Sequence, residues 1–229
     1  KENLTLLGFS DVIKNGKVVV LNMNIAEYRN LSKIIAAYLK LDFQTEIMTN
    51  LSNNNIKTTA FICDEYSEYV TKNDCEFFSL SREAKCINIV STQSYSSLKN
   101  TLKDETSVKV ICQNLINKIW FRTDDIFTIE EAQKQLGKEE KHKTSYTISE
   151  NAKETKYSYF SNKLKSKDSN ISESINSYSQ LDFKYDTKVF TQDLETFYSL
   201  AFLSDGNKIL PISKLKMYPY FINNHPTII

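Results

Sequence analysis

The sequence predicts an α/β fold in which a mostly parallel sheet is flanked by helices. Short apolar runs rich in β-branched residues alternate with helix-like segments over residues 1–137, and this alternation is typical of a parallel sheet covered by helices. The 229 residues are enough to bury a substantial core. A hydrophobic content of 41% and a charged content of 25% are ordinary for a globular domain.

The first elements follow a turn at Asn15-Gly16. Lys17–Leu21 is predicted to be a strand buried on both faces, because it is a short and continuous apolar run. Asn24 and Glu27 have the spacing of a capping box, which predicts the start of a helix. Helical spacing then predicts one buried apolar stripe, formed by Leu31, Ile34, Ile35, Tyr38 and Leu39.

The same rhythm continues to the end of this region. The pattern predicts, in order, a strand at Thr59–Cys63, a helix at Asp74–Ala84, a strand at Ile87–Val90, a helical stretch at Tyr95–Ile116, a strand at Lys118–Phe121 and a helix at Thr128–Leu136. A break near Lys103–Glu105 would divide the long helical stretch in two. Gly137 is predicted to end the last helix as its C-cap.

The composition becomes more polar after Gly137. Lys138–Asp186 is rich in Lys, Ser, Asn and Glu with few aliphatic residues, which indicates either an extended surface segment or partial disorder. Ser204–Asn207 has the residues of a hairpin turn, with Lys208–Leu210 as its second arm. The predicted organisation therefore has three parts: residues 1–137, a polar segment over 138–188, and a helix and hairpin extension over 189–229.

Several kinds of site find no support in the residue counts. The four glycines, at positions 8, 16, 137 and 206, are too far apart for a G-x-G-x-x-G or G-x-x-x-x-G-K-[ST] phosphate loop. The two histidines are distant in sequence, and the four cysteines lack the C-x-x-C spacing of zinc and redox sites. A net charge of +1 provides no overall field for nucleic acid, so such binding would need a local patch.

Asp64 and Glu65 are the first candidate site residues. They follow the predicted strand that ends at Cys63, so they are expected at the carboxyl edge of the parallel sheet, where open α/β sheets bind ligands. In nucleotide hydrolases an aspartate at this place helps to hold Mg²⁺, and a neighbouring polar residue orients the attacking water. The alternative is that the two carboxylates simply solvate the end of a buried strand.

Gln93 and Arg82 complete the candidate set. Gln93 follows the strand Ile87–Val90, and if the two strands are neighbours it lies beside the carboxylates, where it can contact a γ-phosphate or the attacking water. Alternatively, Ser91, Thr92 and Gln93 cap the next helix. Arg82 is one of only three arginines, which suggests a need for its bidentate geometry. It either pairs with a neighbouring glutamate or reaches the phosphate of an adjacent subunit.

Taken together, these residues resemble the TraG/TraD-like type IV coupling proteins, which are conjugation and secretion ATPases related to the FtsK/HerA DNA translocases. The resemblance covers nearly all of residues 10–137 and, more loosely, the tail. It is carried by Phe61–Tyr66, Ser81–Glu83, Cys86–Leu98, Asn117–Asp124, Glu130–Gly137, Ala201–Gly206 and Tyr218–Phe221.

The resemblance implies a RecA-like sheet and a role for each candidate. Asp64 and Glu65 match the Walker B pair, with Asp64 holding Mg²⁺ through water and Glu65 activating the attacking water. Gln93 matches the polar sensor, so Asp64, Glu65 and Gln93 would surround bound ATP, and Arg82 matches an arginine finger acting across a ring. The implied partners are other subunits of a homo-hexameric ring, a relaxase–DNA complex, single-stranded DNA and the type IV secretion channel.

The sequence departs from the family in lacking a Walker A loop and the N-terminal membrane segments. We therefore expect this chain to be a soluble cytoplasmic C-terminal half of a motor that sits at the cytoplasmic face of the bacterial inner membrane. Alone it is expected to bind ATP poorly and to be inactive, because the phosphate-gripping amides and lysine are absent.

A non-catalytic interaction module is the alternative function. Here the segment from Lys138 to Asp186 would dock a DNA-processing partner or single-stranded DNA. Its lysines are interleaved with aromatic residues, a combination that can join phosphate contacts to base stacking: Tyr157, Tyr159, Phe160 and Tyr178. Strongly salt-dependent oligonucleotide binding is the signature expected of such a module.

Overall fold

The computed structural model describes residues 8–23, 25–49, 51, 57–151, 156–158, 163–165 and 170–219. The predicted capping residue Asn24 and the motif residues Tyr220 and Phe221 lie outside these ranges. The chain forms two compact units. Unit 1 consists of Lys1–Ala132 and Thr187–Ile229, and unit 2 consists of Gln133–Asp186.

Helices and two small sheets make up unit 1. Its helices are α1 (Phe9–Asn15), α2 (Ile25–Tyr28), α3 (Asn30–Thr49), α4 (Asn73–Leu80), α5 (Tyr95–Leu102), α6 (Glu105–Asn114) and α7 (Ile126–Leu136), the last of which ends in unit 2. Its strands are β1 (Thr59–Cys63), β2 (Cys86–Val90), β3 (Lys118–Trp120), β8 (Tyr198–Phe202) and β9 (Ser213–Lys216). Among the described residues, none of the helices has the length and apolarity needed to cross a lipid bilayer.

The predicted break in the long helical stretch is confirmed. Lys103 has a φ of 56° and ends α5, and the next residue, Asp104, begins α6. The Asp104 carboxylate accepts hydrogen bonds from the backbone N–H groups of Thr106 and Ser107, at 3.0 and 3.1 Å. These bonds satisfy two of the free donors at the start of α6, so the chain turns between two short helices rather than forming one long helix.

β1 and β2 form a parallel pair in which Thr59 lies opposite Cys86 and Cys63 lies opposite Val90. One face of the pair packs on the core, which is formed by buried residues of α3 to α6, of the start of β2 and of the loops around them: Ile47, Tyr66, Val70, Phe77, Phe78, Ala84, Cys86, Leu98, Leu102, Val108 and Ile111. The other face has no cover from the part of the chain that the structure describes, and Ile62 on it is 71% exposed. The predicted mixture of helices and sheets is therefore confirmed, whereas a mostly parallel RecA-like sheet is not shown, since among the described residues only β1 and β2 pair in parallel.

Two predictions for the N-terminal region are wrong. Lys17–Leu21 is an irregular segment rather than a buried strand, and Val18 is 87% exposed. A strand is stable only when a neighbour pairs with its backbone, and this segment has no pairing partner among the described residues. The predicted apolar stripe of α3 is also not buried as a whole, since Leu31, Ile34 and Tyr38 are exposed while Ile35 and Leu39 are half-buried. The helix instead buries Ser32, Lys40, Gln44 and Ile47.

The predicted fourth strand of the parallel sheet belongs to a different sheet. β3 pairs antiparallel with β8, and β8 pairs antiparallel with β9. The turn at Ser204–Asn207 is present, because Ser204 and Ile209 form a bridge and Asp205 accepts hydrogen bonds from the backbone N–H groups of Asn207 and Lys208, both at 2.9 Å. The strands β8 and β9 are thus joined to unit 1 through β3.

Unit 2 is dominated by a long antiparallel ribbon. β4 (Lys138–Asn151) and β7 (Asn170–Phe183) pair along their whole length, and β5 (Lys156–Ser158) pairs with β6 (Lys163–Lys165). Tyr146 lies opposite Ile175 on a face that also carries Leu181, and all three side chains are exposed. Of the aromatic residues suggested for base stacking, Tyr178 is exposed on the ribbon, whereas Tyr159, Phe160 and the side chain of Tyr157 lie outside the described part.

Candidate active site at the carboxyl ends of the parallel strands

The two parallel strands end level with each other, because Cys63 is paired with Val90. The backbone N–H of Ser91 donates to the carbonyl of Cys63 at 3.0 Å, and the N–H of Tyr66 donates to the carbonyl of Ser91 at 2.8 Å. The two chain exits are therefore bonded to each other beyond the last strand residues. This brings the side chains that follow both strands to one edge of the sheet.

Asp64 is held by its neighbours at this edge. Its Oδ1 atom accepts a hydrogen bond from the backbone N–H of Glu65 at 2.9 Å and another from the hydroxyl of Ser91. No hydrogen bond to Oδ2 occurs among the described residues. One carboxylate oxygen is thus fixed by the protein, and because Asp64 is exposed the other oxygen is left available for a ligand.

Glu65 and Gln93 form the second half of the site. The amide Nε2 of Gln93 lies 3.3 Å from Oε2 and 3.4 Å from Oε1 of Glu65, so it donates to the carboxylate across the gap between the two exits. Glu65 has φ 48° and ψ 42°, which is the left-handed region. A residue other than glycine rarely adopts this conformation, and such strain is concentrated at functional sites.

The donor set at this edge fits Mg²⁺ bound together with a nucleotide. Mg²⁺ prefers oxygen ligands, keeps several waters and takes only one or two carboxylates besides the substrate phosphates. In the part of the chain that the structure describes, no three His, Cys, Asp or Glu side chains gather as an all-protein metal cage. Burial raises the pKa of the neighbouring Cys63 thiol to about 11, so that the thiol stays protonated and adds no negative charge.

Arg82 lies away from these residues. It is exposed in the turn between α4 and β2, at the amino end of the strand whose carboxyl end leads to Gln93. Five strand residues separate the two ends by roughly 16 Å at about 3.3 Å per residue. Arg82 therefore does not join Asp64 and Glu65 within one chain, and its role across a subunit interface stays a prediction.

A buried polar network lies behind the site and was missed by the sequence analysis. Asp74 is fully buried, and its Oδ2 atom accepts hydrogen bonds from Nζ of Lys40 at 2.6 Å and from the hydroxyl of Tyr66 at 2.7 Å. Its Oδ1 atom accepts from Nε2 of Gln44 at 2.9 Å. Burial raises the pKa of Tyr66, and the negative charge of Asp74 raises it further, so the phenol remains a donor. Lysine and aspartate are normally exposed, so their spacing gave no signal.

Asp125 joins the start of α5, close behind Gln93, to the start of α7. Its carboxylate accepts from the hydroxyl of Ser96 at 2.5 Å and from the backbone N–H of Thr128 at 2.9 Å. Partial burial raises the pKa of Asp125, but the hydrogen bonds from Ser96 and Thr128 together outweigh burial, so the pKa is lower than usual. The carboxylate is therefore ionised at neutral pH and stabilises both helix N-termini.

The fold and the site can be compared with known proteins. A family model described as the TraM recognition site of TraD and TraG matches residues 58–188. The chain is also similar in fold to the bacterial conjugative coupling protein TrwBdeltaN70 in its unbound monoclinic form, with a TM-score of 0.53 and 14% sequence identity. The similarity covers 87% of this chain and 40% of that protein, so the chain spans less than half of its length. No curated protein matches the chain.

The family model spans the parallel strands, the residues at their carboxyl ends and the ribbon. It covers more than half of the chain and includes Asp64, Glu65, Arg82 and Gln93. The likeness to TrwBdeltaN70 adds that the arrangement of helices and strands is similar to that of part of this conjugative coupling protein. The chain therefore belongs to the TraG/TraD family of coupling proteins and corresponds to a C-terminal part of them.

Proposed function

We propose that this chain is part of a conjugative coupling ATPase that drives DNA or protein substrate into a type IV transfer channel. The observation that carries the proposal is the meeting of Asp64, Glu65 and Gln93 at the level carboxyl ends of two parallel strands. Nucleotide hydrolases place an acidic metal-binding group and a water-positioning group in this way. In the complete motor, the two strands would belong to a larger RecA-like sheet.

Each side chain has a chemical task in this proposal. Asp64 would hold Mg²⁺ through water with the carboxylate oxygen that its neighbours leave open. The Mg²⁺ ion would neutralise charge on the β- and γ-phosphates. Glu65 would orient the attacking water and accept its proton, while Gln93 would exchange its bond to Glu65 for one to that water or to a γ-phosphate oxygen.

The remaining parts of the hydrolytic site would come from elsewhere. This sequence contains no G-x-x-x-x-G-K-[ST] loop, so we propose that the phosphates are gripped by a segment of the natural protein outside these 229 residues. Arg82 would be supplied to the γ-phosphate of an adjacent subunit, which requires a ring. The bare face around Ile62 supports the presence of a further layer on the sheet, since exposed apolar patches mark contacts with other parts or partners.

Glu65→Gln, made in the natural gene product that contains this chain, is expected to lower ATP turnover at least about a hundredfold. The amide cannot accept a proton, and general-base catalysis typically contributes about 10²–10⁴-fold. Glu68→Gln is the matched control, because Glu68 lies three residues later and pairs with Lys33 at the surface. Turnover of the Glu65 variant within twofold of the unmutated protein would contradict the proposed role of Glu65.

We further propose that the ribbon of unit 2 recognises a partner protein of the TraM type, a component of the DNA-processing complex. The family model supports this, because it is described as a recognition site and contains both ribbon strands. The apolar face around Tyr146 and Ile175 has no cover among the described residues. A two-stranded ribbon is only marginally stable alone, which favours a partner on that face.

Substitution of both Tyr146 and Ile175 by Ser is expected to reduce co-purification of the natural protein with the DNA-processing proteins of its own mobile element about tenfold or more. Thr147→Ala with Ser174→Ala is the control pair, since these residues lie opposite each other on the other face of the ribbon. Equal recovery of partner proteins by the two double variants would show that the apolar face is not the recognition surface.

A further inference from the structure

The backbone conformation of Glu65 must be stabilised by the residues around it. Its φ of 48° lies in the left-handed region, which side chains other than glycine avoid, so the residue relaxes unless its neighbours fix it. On one side Asp64 is fixed by Ser91. On the other side stands Tyr66, whose side chain is fully buried. The orientation of the Glu65 carboxylate therefore depends on how firmly these two neighbours are anchored.

Tyr66 is anchored at both ends. Its backbone N–H donates to the carbonyl of Ser91 at 2.8 Å, and its hydroxyl donates to Oδ2 of Asp74 at 2.7 Å. The first bond ties Tyr66 to the exit of β2, and the second ties it to the first turn of α4. The residue after Glu65 is thus fastened both to the sheet edge and to the core.

Asp74 is itself immobilised by donors from two parts of the chain. Lys40 and Gln44 reach it from α3, with Nζ and Nε2 at 2.6 and 2.9 Å from the carboxylate. The backbone N–H of Thr71 donates to Oδ2 at 3.0 Å. Nζ of Lys40 also donates to the carbonyl of Tyr69 at 2.7 Å, so the same lysine holds the loop between Tyr66 and α4. Hydrogen bonds to charged groups in a buried place are the strong ones.

We infer that Lys40, Asp74 and Tyr66 are positioning residues that hold the Glu65 carboxylate beside Gln93 for water activation. The inference rests on the proposed ATPase function. It assigns a purpose to a buried ion pair that lies next to the site and in a core that is otherwise largely apolar. The hydrogen bonds of the network reach the loop at Tyr66 and Tyr69, so the network would act through the backbone of the loop that carries Glu65.

This mode of action predicts a particular kinetic signature. A catalytic carboxylate is effective only when it stays within hydrogen-bond reach of the water that it activates, and small displacements are costly. Nucleotide binding would use the phosphate loop, Mg²⁺ and Asp64, and the side chain of Asp64 is held by Ser91 and by the backbone N–H of Glu65 rather than by Lys40, Asp74 or Tyr66. Loosening the network is therefore expected to lower kcat and to leave KM for ATP nearly unchanged.

Tyr66→Phe in the natural gene product is the direct test. The ring stays in the core, and Asp74 keeps its donors from Lys40, Gln44 and Thr71, so the variant is expected to fold. We expect kcat to fall about tenfold and KM for ATP to change less than twofold. Ile111→Val is the matched control, because it removes a buried methylene from the same core at a residue of α6 that takes no part in the hydrogen-bond network.

ATP turnover and urea denaturation are measured for each variant, so that the positioning role and the ATPase proposal are tested separately. The positioning role of Tyr66 is supported if kcat falls for Tyr66→Phe but not for Ile111→Val, provided that the two variants lose similar stability. If Glu65→Gln abolishes turnover while Tyr66→Phe behaves like Ile111→Val, the positioning role is wrong and the ATPase proposal stands. If Glu65→Gln leaves turnover unchanged, both proposals are overturned.

Discussion

Replacing Lys40 with Met is expected to lower the free energy of unfolding of this chain by roughly 3–5 kcal/mol, the range for removing one partner of a buried ion pair. The side chains of Lys40 and Asp74 are 3% and 0% exposed, and their charged atoms are 2.6 Å apart. Without the ammonium group, the Asp74 carboxylate keeps neutral donors but loses its compensating charge. Equilibrium urea unfolding at neutral pH measures the difference.

A surface pair provides the comparison for this prediction. Lys33 contacts Glu68, but both side chains are about 40% exposed, so Lys33→Met is expected to change stability by about 0–1 kcal/mol. Combining Lys40→Met with Asp74→Asn is expected to recover part of the loss, because the amide carries no charge. A change below about 1 kcal/mol for Lys40→Met would mean that water or another group compensates Asp74.

Phe190→Ala is expected to cost roughly 3–5 kcal/mol, the range for deleting a fully buried phenylalanine side chain. Phe190 lies in a π-helical turn (Val189–Asp193), and its side chain is 0% exposed. Its carbonyl accepts a hydrogen bond from the backbone N–H of Thr123 at 3.1 Å. The substitution therefore opens a cavity where the last part of the chain is built into unit 1.

The control for Phe190 is a large aromatic residue in the same part of the chain. Tyr218 is 60% exposed, so Tyr218→Ala is expected to change the free energy of unfolding by less than about 1 kcal/mol. Thermal or urea unfolding followed by circular dichroism distinguishes the two. Equal, small effects would indicate that residues 187–219 are an appendage whose loss unit 1 tolerates.

The sequence allowed most elements of unit 1 to be predicted where local signals and tertiary packing agree. The α5–α6 break was visible because Asp104 is a good N-cap after Lys103, and the end of α7 was visible in Gly137. The meeting of Gln93 with Glu65 followed from the assumption that β1 and β2 are neighbours. Local patterns of this kind themselves stabilise the elements that they predict, so these elements are present in the fold.

The errors arose where pairing or burial depends on distant residues. Lys17–Leu21 has the composition of a strand, but composition does not provide a partner for its backbone. The ribbon was missed because its two strands are mostly polar. Their register depends on pairing between residues that lie far apart in sequence, as far as the pair formed by Asn151 and Asn170. The burial of Lys40 could not be predicted either, since the ammonium group is made tolerable by Asp74 and by the carbonyl of Tyr69, which are about 30 residues away in sequence.

The left-handed backbone of Glu65 also has an evolutionary consequence. Glycine would relieve the strain at this position but would remove the carboxylate, whereas another side chain with a Cβ atom would meet the same strain. At this residue, the change that would favour folding therefore removes the group that the proposed chemistry needs. The residues that hold Glu65 depend on one another, because Tyr66 is bonded to Asp74 and Ser91 holds the neighbouring aspartate. We therefore expect substitutions at Tyr66, Ser91 and Asp74 to occur together in related sequences rather than one at a time.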